Sequence, residues 1–274
     1  MTPRVPTRLA AAAATLLLTW HPLAAATSPL LDPGYAAYGK LLTRVVHGAR
    51  VDYQTLAEER AALDDIAGEF AAVEPAAEQA MTPHDRMAFW INAYNLFTLR
   101  VIVDHYPIRG SWFSLAPRNS IRQIDGVWTK LEWRAAGRTI TLDGIEHGLL
   151  RPEFADARVH MAINCASKSC PPLRAEPYVG ADLDHQLDDA ARGYLASAEG
   201  ARVEDGRLYL SKIFEWYGSD FAKQYAAPGD TEGATERGVR GFVERYGAPD
   251  AAAAAKAGAK IRFLDYDWSL NDVQ

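Results

Sequence analysis

The most apolar stretch of the chain follows Thr82. Between residues 87 and 102, hydrophobic side chains cover almost the whole circumference of an α-helix. Thr82 suits the N-cap, Pro83 fits the first helical position, and Pro107 ends the pattern. A helix that is hydrophobic all round is a buried helix, so we predict that this one lies at the centre of the fold.

Shorter helices are predicted wherever apolar residues recur every three or four positions. Such patterns occupy residues 34–44, 55–73, 143–150, 182–198, 211–221 and 235–246. Asp143 with Glu146 three positions later forms an acidic version of a capping box, so the helix there is expected to begin at Asp143 and to stop at Pro152. The alanine-rich residues 251–260 are expected to form a flexible or helical spacer.

Strands are predicted at five places. Residues 130–134 and 138–142 flank Ala135-Ala136-Gly137 and indicate a β-hairpin, and residues 51–53, 207–210 and 261–268 are also expected to be extended. Residues 159–165 alternate, which places His160 and Asn164 on one face of a further strand. No repeat and no linker divides the chain. We therefore predict an α+β fold, a single domain of several helices around a small, mostly antiparallel sheet with a central buried apolar helix.

Composition is that of a folded protein, with 274 residues, 49% hydrophobic and 23% charged. The net charge of −6 argues against electrostatic capture of nucleic acid. Arg4 and Arg8, an apolar run at 9–20 and small residues at 24–26 together predict a cleaved signal peptide over residues 1–26, followed by one domain over 27–274. The alternative for this segment is a buried N-terminal helix. A signal peptide implies a periplasmic or secreted protein without a membrane anchor after cleavage.

The chain has two cysteines, Cys165 and Cys170, in one short loop. In an oxidising compartment, two cysteines five positions apart suit a structural disulfide. Alternatively, Cys165 is a thiolate nucleophile whose pKa is lowered by a nearby group, such as Lys168 or a histidine. A redox-active pair is the third interpretation, and the spacing supports it less because such pairs usually lie two residues apart.

Two histidines can serve a nucleophilic cysteine. His147 follows Glu146 on the short helix, and His160 precedes the cysteine loop. Covalent acyl transfer requires at least a nucleophile, a base and a group that orients the base. Cys165 would be the nucleophile and either histidine the base, with Glu146 or Asn164 as the orienting group. The alternatives are a surface or capping role for His147 and a hydrogen-bonded sheet position for His160. No metal-binding spacing is present, and we predict no cofactor.

Asn92 and Asn95 lie one turn apart in the apolar helix. A buried amide without hydrogen bonds costs about 1–3 kcal/mol, so both side chains need partners. Either they bind loop backbone and fix the fold, or they face the cysteine loop and line a binding site.

Five motifs occur in an order that resembles one family. They are FWINAYN at 89–95, DGIEH at 143–147, HMAINCASKSCPPL at 160–173, LSKIFEWYGSDF at 210–221 and DYDWSLN at 265–271. Together they resemble the domain of unknown function 547 family, found in many secreted bacterial proteins and in plants. The likeness covers roughly residues 51–271, as a core at about 51–222 and a C-terminal strand at 261–271. It implies that the cysteine loop, Glu146-His147 and the asparagine helix share one framework, and it assigns no roles.

Two hypotheses for function follow. The first is a thiol-dependent enzyme of the cysteine hydrolase or acyl-transfer type, with Cys165 as nucleophile, His147 or His160 as base and Glu146 as orienter. Asn92, Asn95, Asn164 and Lys168 would help to bind a small molecule or peptide. The second is a non-enzymatic periplasmic binding or scaffold protein in which a Cys165–Cys170 disulfide braces the loop.

Overall fold

The computed structural model describes the first residue, residues 32–227 and residues 233–274. Apart from that first residue, the predicted signal peptide over residues 1–26 lies outside the described part of the chain, so its prediction stays untested. Among residues 32–227 and 233–274, no helix combines the length and the apolar character that crossing a membrane requires.

The described residues form an α+β fold, as predicted. The α-helices are α1 (Asp32–Val45), α2 (Tyr53–Glu58), α3 (Arg60–Ala72), α4 (Pro75–Ala80), α5 (Pro83–His105), α6 (Leu142–Ile145), α7 (Leu183–Leu195), α8 (Ile213–Trp216), α9 (Gly218–Tyr225), α10 (Ala234–Tyr246) and α11 (Pro249–Lys256). The strands are β1 (Val46–His47), β2 (Arg50–Val51), β3 (Glu132–Ala135), β4 (Arg138–Thr141), β5 (Ala201–Glu204), β6 (Arg207–Leu210) and β7 (Lys260–Phe263). They make two hairpins and one three-stranded sheet, in which only the β6–β7 pair is parallel.

The central helix α5 confirms the clearest sequence prediction. Thr82 caps it by accepting a hydrogen bond from the backbone N–H of Asp85 at 3.1 Å, and Pro83 occupies the first turn. Almost every residue from Met87 to Val103 is buried. Helices α1, α2 and α3 and the β3–β4 hairpin surround α5 in one apolar core, while α7, α9, α10 and the three-stranded sheet enclose a second.

Several predicted boundaries are wrong. The helix expected over residues 55–73 is two helices, α2 and α3, which meet at Glu59. The helix after the hairpin is capped by Thr141, whose hydroxyl accepts from the N–H of Gly144 at 3.0 Å, and not by Asp143. It also runs on through Pro152 as a π-helix, Glu146–Phe154, because the wider turn leaves room for the proline ring.

The strand predicted over residues 159–165 is absent. Residues Ala157–Met161 form a 3₁₀ helix that Asp156 caps, and the chain then continues as a loop. Both supposed strand faces are buried: Val159 and Met161 in the apolar cores, His160 against α9. A period of two identifies a strand when one face of the strand is buried and the other is exposed. Here the residues of both supposed faces are buried, so the alternation did not indicate a strand.

The C-terminal part differs from its predictions in two ways. Helix α11 replaces the expected spacer and packs Ala251 and Ala255 into the second core. The predicted strand over 261–268 is confirmed only as β7, after which the chain leaves the sheet and crosses the cysteine loop. This crossing positions the last part of the chain beside the predicted functional residues.

Candidate functional site

A cavity of about 410 Å³ opens where the π-helix, the cysteine loop, α8 and the C-terminal segment meet. Six of the fifteen lining residues are tyrosine or tryptophan, and six others carry a carboxyl, imidazole or thiol group. The lining residues are Tyr94, Trp128, Thr129, Asp143, Glu146, His147, His160, Ile163, Cys165, Cys170, Ile213, Trp216, Tyr217, Tyr266 and Trp268.

The inner side of the cysteine loop is fixed by helix α5. The Asn95 amide donates to the carbonyl of Ala162 at 3.0 Å and accepts from the N–H of Asn164 at 2.8 Å. The Asn164 side chain in turn donates to the carbonyl of Pro171 and accepts from the N–H of Ala166, so it closes the loop on itself. These bonds hold the two cysteines at the open end of a rigid turn.

The outer side of the loop is held by the C-terminal segment. Backbone N–H groups of Lys168 and Ser169 donate to the carbonyls of Ser269 and Asp267, and the N–H of Asn271 donates to Ala166. Ala166 itself adopts a left-handed conformation with φ of 57°, which is uncommon for a residue with a Cβ and turns the chain sharply after Cys165. Long-range bonds on both sides therefore hold a backbone that local preference disfavours.

Cys165 is partly exposed and its sulfur has three polar neighbours. The Cys170 sulfur lies 3.0 Å away, the Ser167 hydroxyl 3.1 Å and the Tyr266 hydroxyl 3.4 Å. The hydrogen bond with Cys170 lowers the pKa of Cys165 most, burial opposes it, and the two hydroxyls lower it further, to about 7. A pKa of about 7 leaves a substantial fraction of Cys165 as thiolate at neutral pH, and the thiolate is the form in which a cysteine can act as a nucleophile.

The pKa of Cys170 is shifted in the opposite direction, upward. It is buried, and burial together with the neighbouring Cys165 raises its pKa well above the ordinary value. Its sulfur accepts from the N–H of Cys165 at 3.0 Å. Both residues are free thiols in this structure, and the predicted disulfide between them stays a prediction.

His160 is buried and paired with an acid. Its Nε2 lies 3.0 Å from Oδ2 of Asp220, and its ring stacks on Tyr217 with centroids 4.0 Å apart. Burial lowers the pKa of His160, so the ring is neutral at neutral pH. Hydrogen bonds from His160 and Arg151 hold the pKa of Asp220 well below its usual range. An ionised Asp220 only accepts, so Nε2 carries the proton and Nδ1 is the basic nitrogen.

His147 lies nearer the surface and is already engaged on both ring nitrogens. Arg151 donates to its Nδ1 at 2.5 Å, while its Nε2 lies 3.5 Å from Asp143 and 3.8 Å from Glu146. The side chain is 38% exposed, against 1% for His160. Neither histidine hydrogen-bonds the Cys165 sulfur, and of the two only His160 has a ring nitrogen without a partner among the described residues.

Glu146 is buried at the cavity wall with one oxygen, Oε1, that makes no hydrogen bond. The Tyr217 hydroxyl is its neighbour: burial first, and then the Glu146 charge, hold the pKa of Tyr217 well above its usual range. Glu146 does not bond to His160. Asp220 orients the buried His160. It lies in the LSKIFEWYGSDF motif, to which the resemblance assigned no role.

The structure thus divides the predicted site residues into two groups. Cys165, Cys170, His147, His160 and Glu146 border one cavity. The others bind backbone or lie elsewhere: Asn95 and Asn164 fix the loop, and Asn92 bonds both ways to the backbone of Tyr178, at 2.7 and 2.9 Å. Lys168 is absent from the cavity wall, and it is not among the groups that lower the pKa of Cys165.

Sequence reasoning missed several residues that shape the site. Asp220, Tyr217 and Trp216 come from the LSKIFEWYGSDF motif, and Tyr266 and Trp268 come from the DYDWSLN motif. Both motifs are far from the cysteines along the chain, and the signal that singled them out was resemblance alone. Within the described residues, no group of three or more His, Cys, Asp or Glu side chains is arranged to hold a metal ion.

These observations define an α+β protein with two free cysteines at a cavity lined in part by aromatic residues. Residues 78–195 match the family model described as Protein of unknown function, DUF547, so the chain resembles that family as the motifs predicted. The match includes both cysteines, both histidines and Glu146 and ends before Asp220. No curated protein matches the chain, and no solved structure does.

Proposed function

We propose that this protein is a thiol-dependent acyl-transfer enzyme, with water or another nucleophile as the acceptor and a small molecule or peptide as the substrate. The observation that carries the proposal is Cys165, a thiol with a pKa of about 7 that borders a cavity of about 410 Å³. A perturbed nucleophile in a concave apolar pocket is the usual mark of a covalent catalytic site.

In the proposed reaction, the Cys165 thiolate attacks the carbonyl carbon of an ester, thioester or amide. A carbon–sulfur bond forms and the bond to the leaving group breaks. The proton released by the thiol reaches the leaving group through Nδ1 of His160. In the second half, Nδ1 takes a proton from the attacking water, a carbon–oxygen bond forms and the carbon–sulfur bond breaks. The acyl group leaves as the free acid, and the proton on Nδ1 returns to the Cys165 sulfur. Bond making and proton transfer balance in both halves, and no cofactor is needed.

His160 suits the role of base better than His147. It is neutral because burial lowers its pKa, and Asp220 holds the tautomer that leaves Nδ1 free. In His147, by contrast, Arg151 donates to Nδ1. We therefore assign the orienting role to Asp220 rather than to Glu146.

The test uses p-nitrophenyl acetate as an activated acyl donor. We expect a burst of p-nitrophenolate equal to the enzyme concentration, followed by slow turnover, and an acetyl group on the peptide that contains Cys165. Cys165→Ser should show no burst. His160→Gln should lose turnover far more than acylation, because the thiolate forms without it. A chain that stays unacetylated at Cys165 under reducing conditions is not this kind of enzyme.

Export and the state of the cysteines belong to the same proposal. We propose that residues 1–26 direct export, after which the chain is periplasmic or secreted and has no membrane anchor.

Because the two sulfurs lie 3.0 Å apart, a Cys165–Cys170 disulfide that braces the loop is the competing function. Alkylation without reductant, on protein taken from its native compartment, distinguishes the two. Two free thiols support the enzyme, whereas two oxidised cysteines that resist mild reduction support the brace.

A further inference from the structure

One buried acceptor in the cavity wall has no use in the proposed mechanism. Oε1 of Glu146 makes no hydrogen bond, although the Glu146 side chain is only 7% exposed. The Nε2 atom of His147 is 3.8 Å away, beyond hydrogen-bond distance. A buried carboxylate oxygen without a donor is costly, so its retention at a cavity wall needs a reason.

The charges around Glu146 leave a negative site. The Glu146 charge acts on Arg151, but the guanidinium of Arg151 bonds to Asp220 and His147. Burial lowers the pKa of His160 and keeps it neutral. Asp143 adds a second carboxylate at the more exposed side of the cavity.

Aromatic rings form another part of the same cavity wall. Tyr266 and Trp268 lie with centroids 4.6 Å apart, Trp216 lies 4.9 Å from Tyr266, and Trp128 lies 6.2 Å from Trp268. The faces of such rings attract cations, most strongly where water is excluded. A buried carboxylate and several aromatic rings in one cavity form a combination that recognises a cationic nitrogen.

We propose that Glu146 forms a subsite for a primary ammonium or guanidinium group of the substrate. The N–H groups of such a cation satisfy Oε1, and its charge lies against the rings of Trp216 and Tyr266. The Trp268 ring already has the Arg122 guanidinium over it, 5.0 Å from its centroid. This inference rests on the proposed function only in that substrate occupies the same cavity as Cys165. It adds the substrate class, an amine-bearing acyl compound.

The test measures binding without chemistry, in the Cys165→Ser variant under reducing conditions. Three probes of equal chain length are titrated against intrinsic tryptophan fluorescence: pentylamine, 1-pentanol and pentanoate. We expect pentylamine to bind about tenfold more tightly than pentanol, the size of one charge-assisted hydrogen bond, and pentanoate to bind most weakly. Equal affinity for pentylamine and pentanol overturns the subsite.

Two variants assign the effect to Glu146. Glu146→Gln should abolish the preference for pentylamine, whereas Asp143→Asn, which removes the same charge from a side chain that is 47% exposed, should weaken binding by less than about threefold. Equal losses in both variants overturn the role of Glu146. If Glu146→Gln does not fold, the three-probe comparison in the parent protein decides alone. Because no step requires acylation, selective pentylamine binding together with no nitrophenolate burst refutes the proposed enzyme and leaves the subsite intact.

Discussion

His160 and Asp220 are 60 positions apart, and the Nε2 atom of the histidine lies 3.0 Å from Oδ2 of the aspartate. Arg151 donates to the same oxygen at 2.6 Å, so the carboxylate is held between two donors. This pair sets the proton arrangement of the buried imidazole. Its consequence is a neutral ring whose free nitrogen is Nδ1.

The first prediction concerns that tautomer. In the wild-type protein at pH 7, long-range ¹H–¹⁵N correlation spectra should show His160 as neutral with the proton on Nε2. Asp220→Asn should give a mixture of tautomers, because an amide can present either a donor or an acceptor to the ring. A wild-type spectrum with the proton on Nδ1 would contradict the assignment of His160 as base.

The second prediction is a pH dependence of stability. Burial lowers the pKa of His160 in the folded state, so as pH falls below about 6.5 the unfolded chain takes up this proton first. The wild-type protein should therefore exceed His160→Gln in free energy of unfolding by about 1–2 kcal/mol at pH 7.5, through the lost contacts with Tyr217 and Asp220.

The difference in free energy of unfolding between the wild-type protein and His160→Gln should decrease as the pH is lowered from 6.5, because the glutamine variant has no group to titrate at this position. Urea unfolding at several pH values measures it. Groups that do not contact residue 160 contribute equally to the stability of both proteins, so they cancel in the difference. If the difference in free energy of unfolding between the two proteins stays constant or increases as the pH falls, the buried ring of His160 is not held neutral.

The third prediction is that Cys170 activates Cys165. The rate of alkylation of Cys165 by iodoacetamide, measured with reductant removed just before the assay, should rise with a midpoint near pH 7. Cys170→Ala removes the largest cause of the lowered pKa and should move the midpoint toward the ordinary thiol value of about 8.5, with an about tenfold smaller thiolate fraction at pH 7.

Two further variants serve as controls for this measurement. Ser167→Ala should shift the midpoint in the same direction but less, since its hydroxyl is a secondary cause. Lys168→Met should leave the midpoint unchanged, although the sequence had suggested Lys168 as an activating cation. A shift in Lys168→Met as large as that in Cys170→Ala would refute the hydrogen-bond explanation.

The fourth prediction uses two asparagines of one helix as a matched pair. Asn92 and Asn95 each make two bonds to loop backbone, but only Asn95 binds the segment that leads into Cys165. Both alanine variants should lose about 1–3 kcal/mol of unfolding free energy, because buried backbone groups are left without partners. Only Asn95→Ala should also change the alkylation profile of Cys165. Equal profiles in the two variants would show that Asn95 does not position the loop.

Much of the fold was accessible from the sequence. The central helix α5 was predicted because its apolar pattern is strong over about four turns and both ends carry recognisable signals at Thr82 and Pro107. The β3–β4 hairpin was predicted because a short turn joins its strands, where Ala136 and Gly137 have positive φ. Residues 157–164 are buried on both sides, so the alternation of side chains there does not distinguish a strand from other structures. The strand prediction for this segment was wrong for that reason.

For the candidate site, the sequence by itself determined the chemistry that is available: two cysteines in one loop, a Glu-His pair, a buried asparagine helix and five ordered motifs. It did not determine which groups meet. Only the tertiary structure brought Asp220 to His160 and Tyr266 to Cys165, across 60 and 101 positions. The physical reason is that the lowered pKa of Cys165 and the neutral state of His160 depend on burial and on contacts between distant segments, and neither leaves a periodic signal along the chain.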